Sequence, residues 1–217
     1  MFFIERLSKD IVSTIYNTSD IDKDEMDIIE YGVLILILKL IGILMIIIFG
    51  AIFGVLIQSL VFYFTTCILR KYSGGIHSES PNRCIIIGTF VSVFVSLCIN
   101  KFYTLLQFDL VIFLEILILI FCYYIILKYA PIDSIAKPIT DMKKRKQLKK
   151  KSILVIVSIS ILLFVLIEFY LSYRYKILLK LSYCICFALL WQCFTLTIIG
   201  HTIMRKVDNI LKYIIRR

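Results

Sequence analysis

Histidine is scarce in this chain. There are two, His77 and His201, and neither lies in a cysteine-rich cluster, so a zinc site is not expected. The seven cysteines are odd in number, and six of them (Cys67, Cys98, Cys122, Cys184, Cys186 and Cys193) sit inside apolar runs. A disulfide framework is not expected, and those six are read as small buried hydrophobes. Met1 to Asp10 carries Glu5, Arg6, Lys9 and Asp10 but no apolar stretch before a small-residue cleavage site; no secretory signal is expected and the chain should stay whole in its membrane. There is no nucleotide-binding motif and no visible inverted repeat, which weighs against a transporter. There is also no soluble module that could turn a basic patch on nucleic acid.

Charge is missing over long intervals. Between Gly32 and Leu69 the one charged residue is Lys39. The mean hydropathy is +0.94 and 60% of residues are hydrophobic, which excludes an ordinary soluble domain. A bilayer span takes ~20 residues of helix. The interval from Gly32 to Leu69 is therefore read as two spans with a turn near Gly50 to Gly54. Cys84 to Asn100, Leu110 to Leu127, Ser152 to Ile167 and Leu181 to Thr202 supply four more. The expected fold is an all-α polytopic membrane bundle, one domain over residues 1–217, with six transmembrane helices. Residues 1–30 form an amphipathic and then acidic N-terminal segment. Its apolar residues Phe3, Ile4, Leu7, Ile11 and Ile15 have helical spacing, which suits a helix in the membrane interface or one packed on the protein's own spans.

The net charge of +10 is unevenly placed. Residues 128–151 are strongly basic and are read as a cytoplasmic loop, because Lys and Arg collect on that side of a membrane. Counting spans from it places residues 70–84 and both termini on the cytoplasmic side as well. Lys143, Lys144, Arg145, Lys146, Lys149 and Lys150 are candidate contacts for anionic lipid headgroups or for an acidic substrate. Lys39, Gln58, Glu115, Glu168, Lys180, Gln192 and His201 interrupt apolar runs, and intramembrane ionisable groups are functional candidates by default. Lys39 and Glu115 are the deepest charges, placed to pair or to line a polar chamber. Glu168, Lys180 and His201 are read as interfacial, and His201 as non-catalytic.

The chemistry concentrates in residues 70–84. This polar interval holds His77, the Gly74-Gly75 pair, Pro81 and Cys84 between Arg70, Lys71 and Arg83. Ser80 is a good N-cap and Pro81 a good first helical residue, so Cys84 falls in the first turn of a helix, near the positive end of its dipole. Neighbouring cations and that dipole stabilise a thiolate. His77 precedes Cys84 by seven residues, which on a continuous helix would rise ~10 Å; the loop must fold back for the two to meet. Gly74 and Gly75 permit such a bend, and their N–H groups, or those at the helix start, could bind an oxyanion. His77 would take the thiol proton and return it to a leaving amine. No clear third residue orients the imidazole; Glu79 is near, but nothing fixes its direction. The residues alone leave two readings open, a Cys–His dyad or an ordinary cysteine at a helix start beside a solvated loop.

The order Arg70-Lys71-Tyr72-Ser73-Gly74-Gly75-Ile76-His77, followed by Cys84, resembles the signature of the accessory gene regulator B (AgrB) family, membrane cysteine endopeptidases that process the quorum-sensing propeptide AgrD. Ala130-Pro131-Ile132-Asp133 and Lys137-Pro138-Ile139 look like that family's Pro-Asp-Pro pattern before a basic loop. Ile76 and Ser78 depart from it, where Tyr and Ala are common. The resemblance covers the whole chain. It implies that Cys84 is the nucleophile and His77 its base; the match also covers Arg70, Gly74 and Gly75, which with Arg83 are the candidates to support the loop, the oxyanion or the thiolate, and no cofactor is expected. It further implies an AgrD-like propeptide as substrate, an acyl-thioester intermediate, closure of a thiolactone or lactone ring, and a homodimer.

Overall fold

The computed structural model describes residues 8, 10–13, 23–76, 78, 80–105, 107–133 and 141–215. The described chain is helical with short connections. In order, the helices are α1 (Lys23–Ile52), α2 (Leu56–Ser73), α3 (Pro81–Phe102), α4 (Phe108–Tyr129), α5 (Met142–Tyr173), α6 (Lys176–Phe194) and α7 (Ile198–Ile215). Residues 10–13 are also helical, with Val12 buried and Ile11 on the surface, so this short stretch packs on protein. The rest of the expected N-terminal amphipathic helix lies outside the described residues.

Among the described residues, five helices are long and apolar enough to cross a membrane: α1 over Ile28–Ile52, α3, α4, α5 and α6. The architecture is the expected polytopic α-helical bundle. The second expected span, α2, is shorter and more polar, and it sits at the centre of the bundle against α1, α3, α5 and α6. Its buried residues are Gln58, Ser59, Phe62, Thr66, Leu69 and Ser73, spaced as one helical face. This face is turned to protein, so it tolerates polar side chains, and small Ser and Thr residues let neighbouring backbones approach; Ile57, Phe64 and Ile68 on the opposite face are exposed. Buried Thr89, Ser92 and Ser96 do the same on α3. Helix α6 is the second hub, packed on α2, α3, α4 and α5. In contrast, α1 leaves Leu36, Leu40, Leu44 and Ile48 exposed, as a lipid-facing helix requires.

The turn between the first two helices falls where the glycines suggest. The Val55 N–H donates to the Gly50 carbonyl at 2.8 Å and the Gly54 N–H to the Ala51 carbonyl at 3.1 Å. With Gly54 at φ 67, this is the paired-bond helix ending that glycine favours.

Two expectations are corrected. The apolar run from Leu181 to Thr202 is not one helix: α6 stops at Phe194 and α7 starts at Ile198. Thr195 Oγ1 donates to the Gln192 carbonyl at 2.7 Å and Thr197 Oγ1 to the Phe194 carbonyl at 2.8 Å, while Thr197 Oγ1 accepts the Gly200 N–H at 3.0 Å. Threonine hydroxyls offer the backbone an alternative to the helical ladder, and here they end one helix and cap the next. The basic residues from Lys143 to Lys151 are likewise not a loop. They form the first turns of α5, started by Asp141, whose side chain accepts the Lys143 N–H at 2.8 Å. At 32 residues α5 is ~48 Å long, well beyond the ~30 Å hydrocarbon core.

Lys39 and Glu115 do not meet. Glu115 is buried against Ser182 and Tyr183 of α6, whereas Lys39 is exposed on α1 and within electrostatic reach of Cys67. Lys180 donates to Asn100 Oδ1 at 2.7 Å and lies 4.4 Å from the centre of the Tyr103 ring, at the far end of the bundle from residues 70–84.

Candidate active site

Arg70, Gly74, Gly75, Arg83 and Cys84 lie at one end of the bundle, where α2 and α4 end and α3, α5 and α7 begin. Helix α2 runs to Ser73 with Arg70 and Lys71 in its last turn. Gly74 follows at φ 70 and ψ −148, then Gly75 at φ 130. These angles are essentially closed to residues with a Cβ. Space forbids one as well: a Cβ on Gly74 would fall on the Ile132 carbonyl oxygen, and one on Gly75 would lie 2.8 Å from Thr195 Oγ1.

The bend is held from both sides. The Ile132 N–H donates to the Ser73 carbonyl at 2.9 Å, and the Ile76 N–H donates to the Thr195 carbonyl at 3.3 Å. Gln192, fully buried on α6, donates through Nε2 to the Gly74 carbonyl at 2.7 Å and to Ser73 Oγ at 3.0 Å. Arg70 reaches over the bend, its Nη2 donating to the Ile76 carbonyl. Arg70 thus fastens the loop. The Gly74 N–H is engaged by the Arg70 carbonyl at 3.0 Å, so Gly74 contributes shape to the site.

Pro81 opens α3, Ser80 precedes it in extended conformation, and Cys84 lies in the first turn with its N–H on the Ser80 carbonyl at 3.1 Å. The Cys84 side chain is half-buried. Tyr63 and Cys67, on α2, are within electrostatic reach of its thiol. Arg83 turns to the C-terminal helix. Its Nε donates to Asp208 Oδ1 at 2.8 Å and its Nη2 to Asp208 Oδ2 at 2.9 Å, a two-pronged ion pair. Ser78 Oγ donates to the same Asp208 Oδ1. His77 and Glu79 lie outside the described residues.

The basic start of α5 borders this end. Arg145 Nη2 donates to the Pro131 carbonyl at 3.5 Å and Lys149 Nζ to the Leu127 carbonyl at 2.6 Å, so both tie α5 to the end of α4, where cations are favoured. Lys151 lies 5.9 Å from the centre of the Tyr72 ring. Lys143, Lys144, Lys146 and Lys150 are exposed.

A family profile described as accessory gene regulator B matches residues 8–196. The chain belongs to this family. Among AgrB relatives, it is 36% identical to AgrB-like protein 2 of Clostridium perfringens (strain 13 / Type A), over 95% of this chain and 97% of that protein. It is 35% identical to the AgrB-like protein of Clostridium perfringens (strain SM101 / Type A), with the same coverage. A second protein of strain 13, AgrB-like protein 1, is 28% identical over 77% of this chain and 80% of its own length. No solved structure matches the chain.

This AgrB chain uses residues that local sequence reasoning did not assign to the site. Gln192 stood out only as a polar interruption of an apolar run. Asp208 was not singled out, although it is the sole acidic residue after Glu168 in a basic C-terminal segment. His201, set aside from the sequence, lies on α7 with Nε2 buried and without a hydrogen-bond partner.

Proposed function

We propose that this AgrB-family protein is a membrane cysteine endopeptidase that cleaves an AgrD-like quorum-sensing propeptide and closes the remaining peptide into a ring. One observation supports the reading above the others. The glycine bend returns the chain so that Ser78 and Arg83, the direct neighbours of His77 and Cys84, meet at a single carboxylate. The loop is folded back, which a Cys–His dyad seven residues apart requires. His77 takes the Cys84 proton, and the sulfur attacks the carbonyl carbon at the C-terminal side of the signal sequence. The C–N bond breaks, His77 returns the proton to the leaving amine, and an acyl-thioester remains on Cys84. The propeptide's own cysteine or serine then attacks that thioester, forming a thiolactone or lactone and restoring the Cys84 thiol. Exchange between a thioester and a thiol is nearly balanced in free energy, so the ring closes if water is kept away and the attacking group is held nearby. The exposed cations Lys143, Lys144, Lys146 and Lys150 suit an acidic tail or anionic lipid. A homodimer in the bacterial cell membrane, with the active loop and both termini cytoplasmic, completes the proposal.

The test uses an AgrD-type propeptide whose ring-closing residue is replaced by alanine. The tail should still be released, and acid-quenched intact-mass spectrometry should find the remaining peptide on Cys84, removable by hydroxylamine. A linear hydrolysed product at the normal rate with no adduct would overturn the acyl-enzyme. Orientation has its own check. A membrane-impermeant thiol reagent added to intact cells should leave Cys84 unlabelled, and the same reagent should label it in inverted vesicles. Rapid labelling from outside, lost in Cys84→Ala, would reverse the topology.

A further inference from the structure

We propose that Asp208 is a positioning residue for the His77–Cys84 pair, gripping the residue directly after His77 and the residue directly before Cys84 from the C-terminal helix. The proposal rests on the dyad reading above and supplies the orienting group that the local sequence lacks. It stands on three donors converging on one carboxylate: Arg83 Nε and Nη2 at 2.8 and 2.9 Å, and Ser78 Oγ. Asp208 is almost fully buried, with 4% of its surface exposed, so these bonds work with little competition from water. A guanidinium fork on a carboxylate also fixes direction, which a single point charge does not. Asp208 thereby holds Ser78 and Arg83 to one point on α7. Helix α7, which carries it, lies beyond the residues 8–196 matched by the family profile.

An electrostatic role and a positioning role give opposite signs. Removing the Asp208 charge takes one negative charge away from the Arg83 guanidinium, one residue from Cys84. If charge alone mattered, the thiolate would be favoured and Cys84 would react faster at low pH. If Asp208 positions the pair, Cys84 loses its base and reacts more slowly at pH 6, where a thiol needs one. Tyr63 and Cys67 on α2 are within electrostatic reach of Cys84, and Arg70 and Lys39 act in turn on Cys67; the variants leave these untouched.

The experiment measures iodoacetamide alkylation of Cys84 by peptide-resolved mass spectrometry, on the full chain in lipid nanodiscs, at pH 6 and pH 9. Asp208→Asn is expected to slow Cys84 at pH 6 by 10-fold or more and to change it less than 3-fold at pH 9. Asp208→Glu should restore most of the pH 6 rate. Arg83→Lys, which keeps the charge and loses the fork, should repeat the Asp208→Asn loss. Cys67, exposed on α2, reports that packing is intact if its rate holds in every variant. A variant that loosens the bundle reveals itself by alkylation of buried Cys122 and Cys193, and Arg83→Lys then carries the test. A pH 6 rate that is unchanged or faster in Asp208→Asn or Arg83→Lys overturns the proposal, as does an Asp208→Glu protein no better than Asp208→Asn. His77→Ala separates the two readings. If it slows Cys84 at pH 6 while the Asp208 and Arg83 variants do not, the dyad stands and the positioning role falls. If His77→Ala leaves Cys84 unaffected, both fall together.

Discussion

Cys84→Ala is expected to reduce propeptide cleavage by roughly 10⁶-fold, the scale on which removing the nucleophile or its base acts in an acyl-transfer enzyme. His77→Ala should cost about as much, and the double variant little more, because two residues that act as one unit do not contribute additively. The change at Cys84 removes one sulfur from a half-buried position in the first turn of α3, so stability should fall by only about 1 kcal/mol. Membrane insertion and helix content should match the unmodified protein. The check is cleavage of an AgrD-type propeptide in proteoliposomes, followed by the loss of tail, with circular dichroism on the same samples. Cleavage near the normal rate in either single variant removes the dyad.

The second large effect is expected at Gly74. Gly74→Ala must hold a Cβ at φ 70 and ψ −148, a strain of about 1–3 kcal/mol. It must also push the Ile132 carbonyl away, because the new carbon falls on its oxygen. That shift endangers the bond from the Ile132 N–H to the Ser73 carbonyl, worth about 1 kcal/mol. The sum, about 2–4 kcal/mol, exceeds the roughly 1 kcal/mol of any single hydrogen bond that fastens the bend, so the bend should open while the bundle stays folded. Hydrogen exchange should accelerate at residues 73–76 and 132, and propeptide cleavage should fall by 100-fold or more. Gly88→Ala is the matched control: it lies on α3 with nothing within 4 Å of its added Cβ, and alanine is the better helix former by about 1 kcal/mol. Equal behaviour of the two variants would mean that the Gly74 backbone geometry does not shape the site.

What could be read from the sequence follows from how each feature is encoded. Hydropathy is summed over many residues, so the runs that become α1, α3, α4 and α5 are plain, and so is the start of α3 at Ser80-Pro81. The break between α6 and α7 depends on the hydroxyls of Thr195 and Thr197, which hardly alter a hydropathy average. The lysines of residues 143–151 are good helix formers, but their charge directed attention to topology and away from the Asp141 cap. The bend at Gly74 and Gly75 was legible because glycine pairs have few other uses. Its partner Gln192, 118 positions from Gly74, was not, nor was Asp208, 125 positions from Arg83, because no local pattern links residues at such separations.

The fastening of the glycine bend has a consequence for engineering. Its shape is imposed by Ile132, Gln192 and Thr195, which arrive from two other stretches of the chain. A peptide spanning residues 70–84 contains none of them and has no cause to adopt the bend alone. Grafting those fifteen residues onto a foreign pair of helices should therefore transfer the motif without its conformation. The smallest transplantable unit is the loop together with the end of α4 and the junction of α6 and α7, which amounts to most of the bundle. Shuffling between relatives should accordingly succeed when these segments move as a set and fail when residues 70–84 move by themselves.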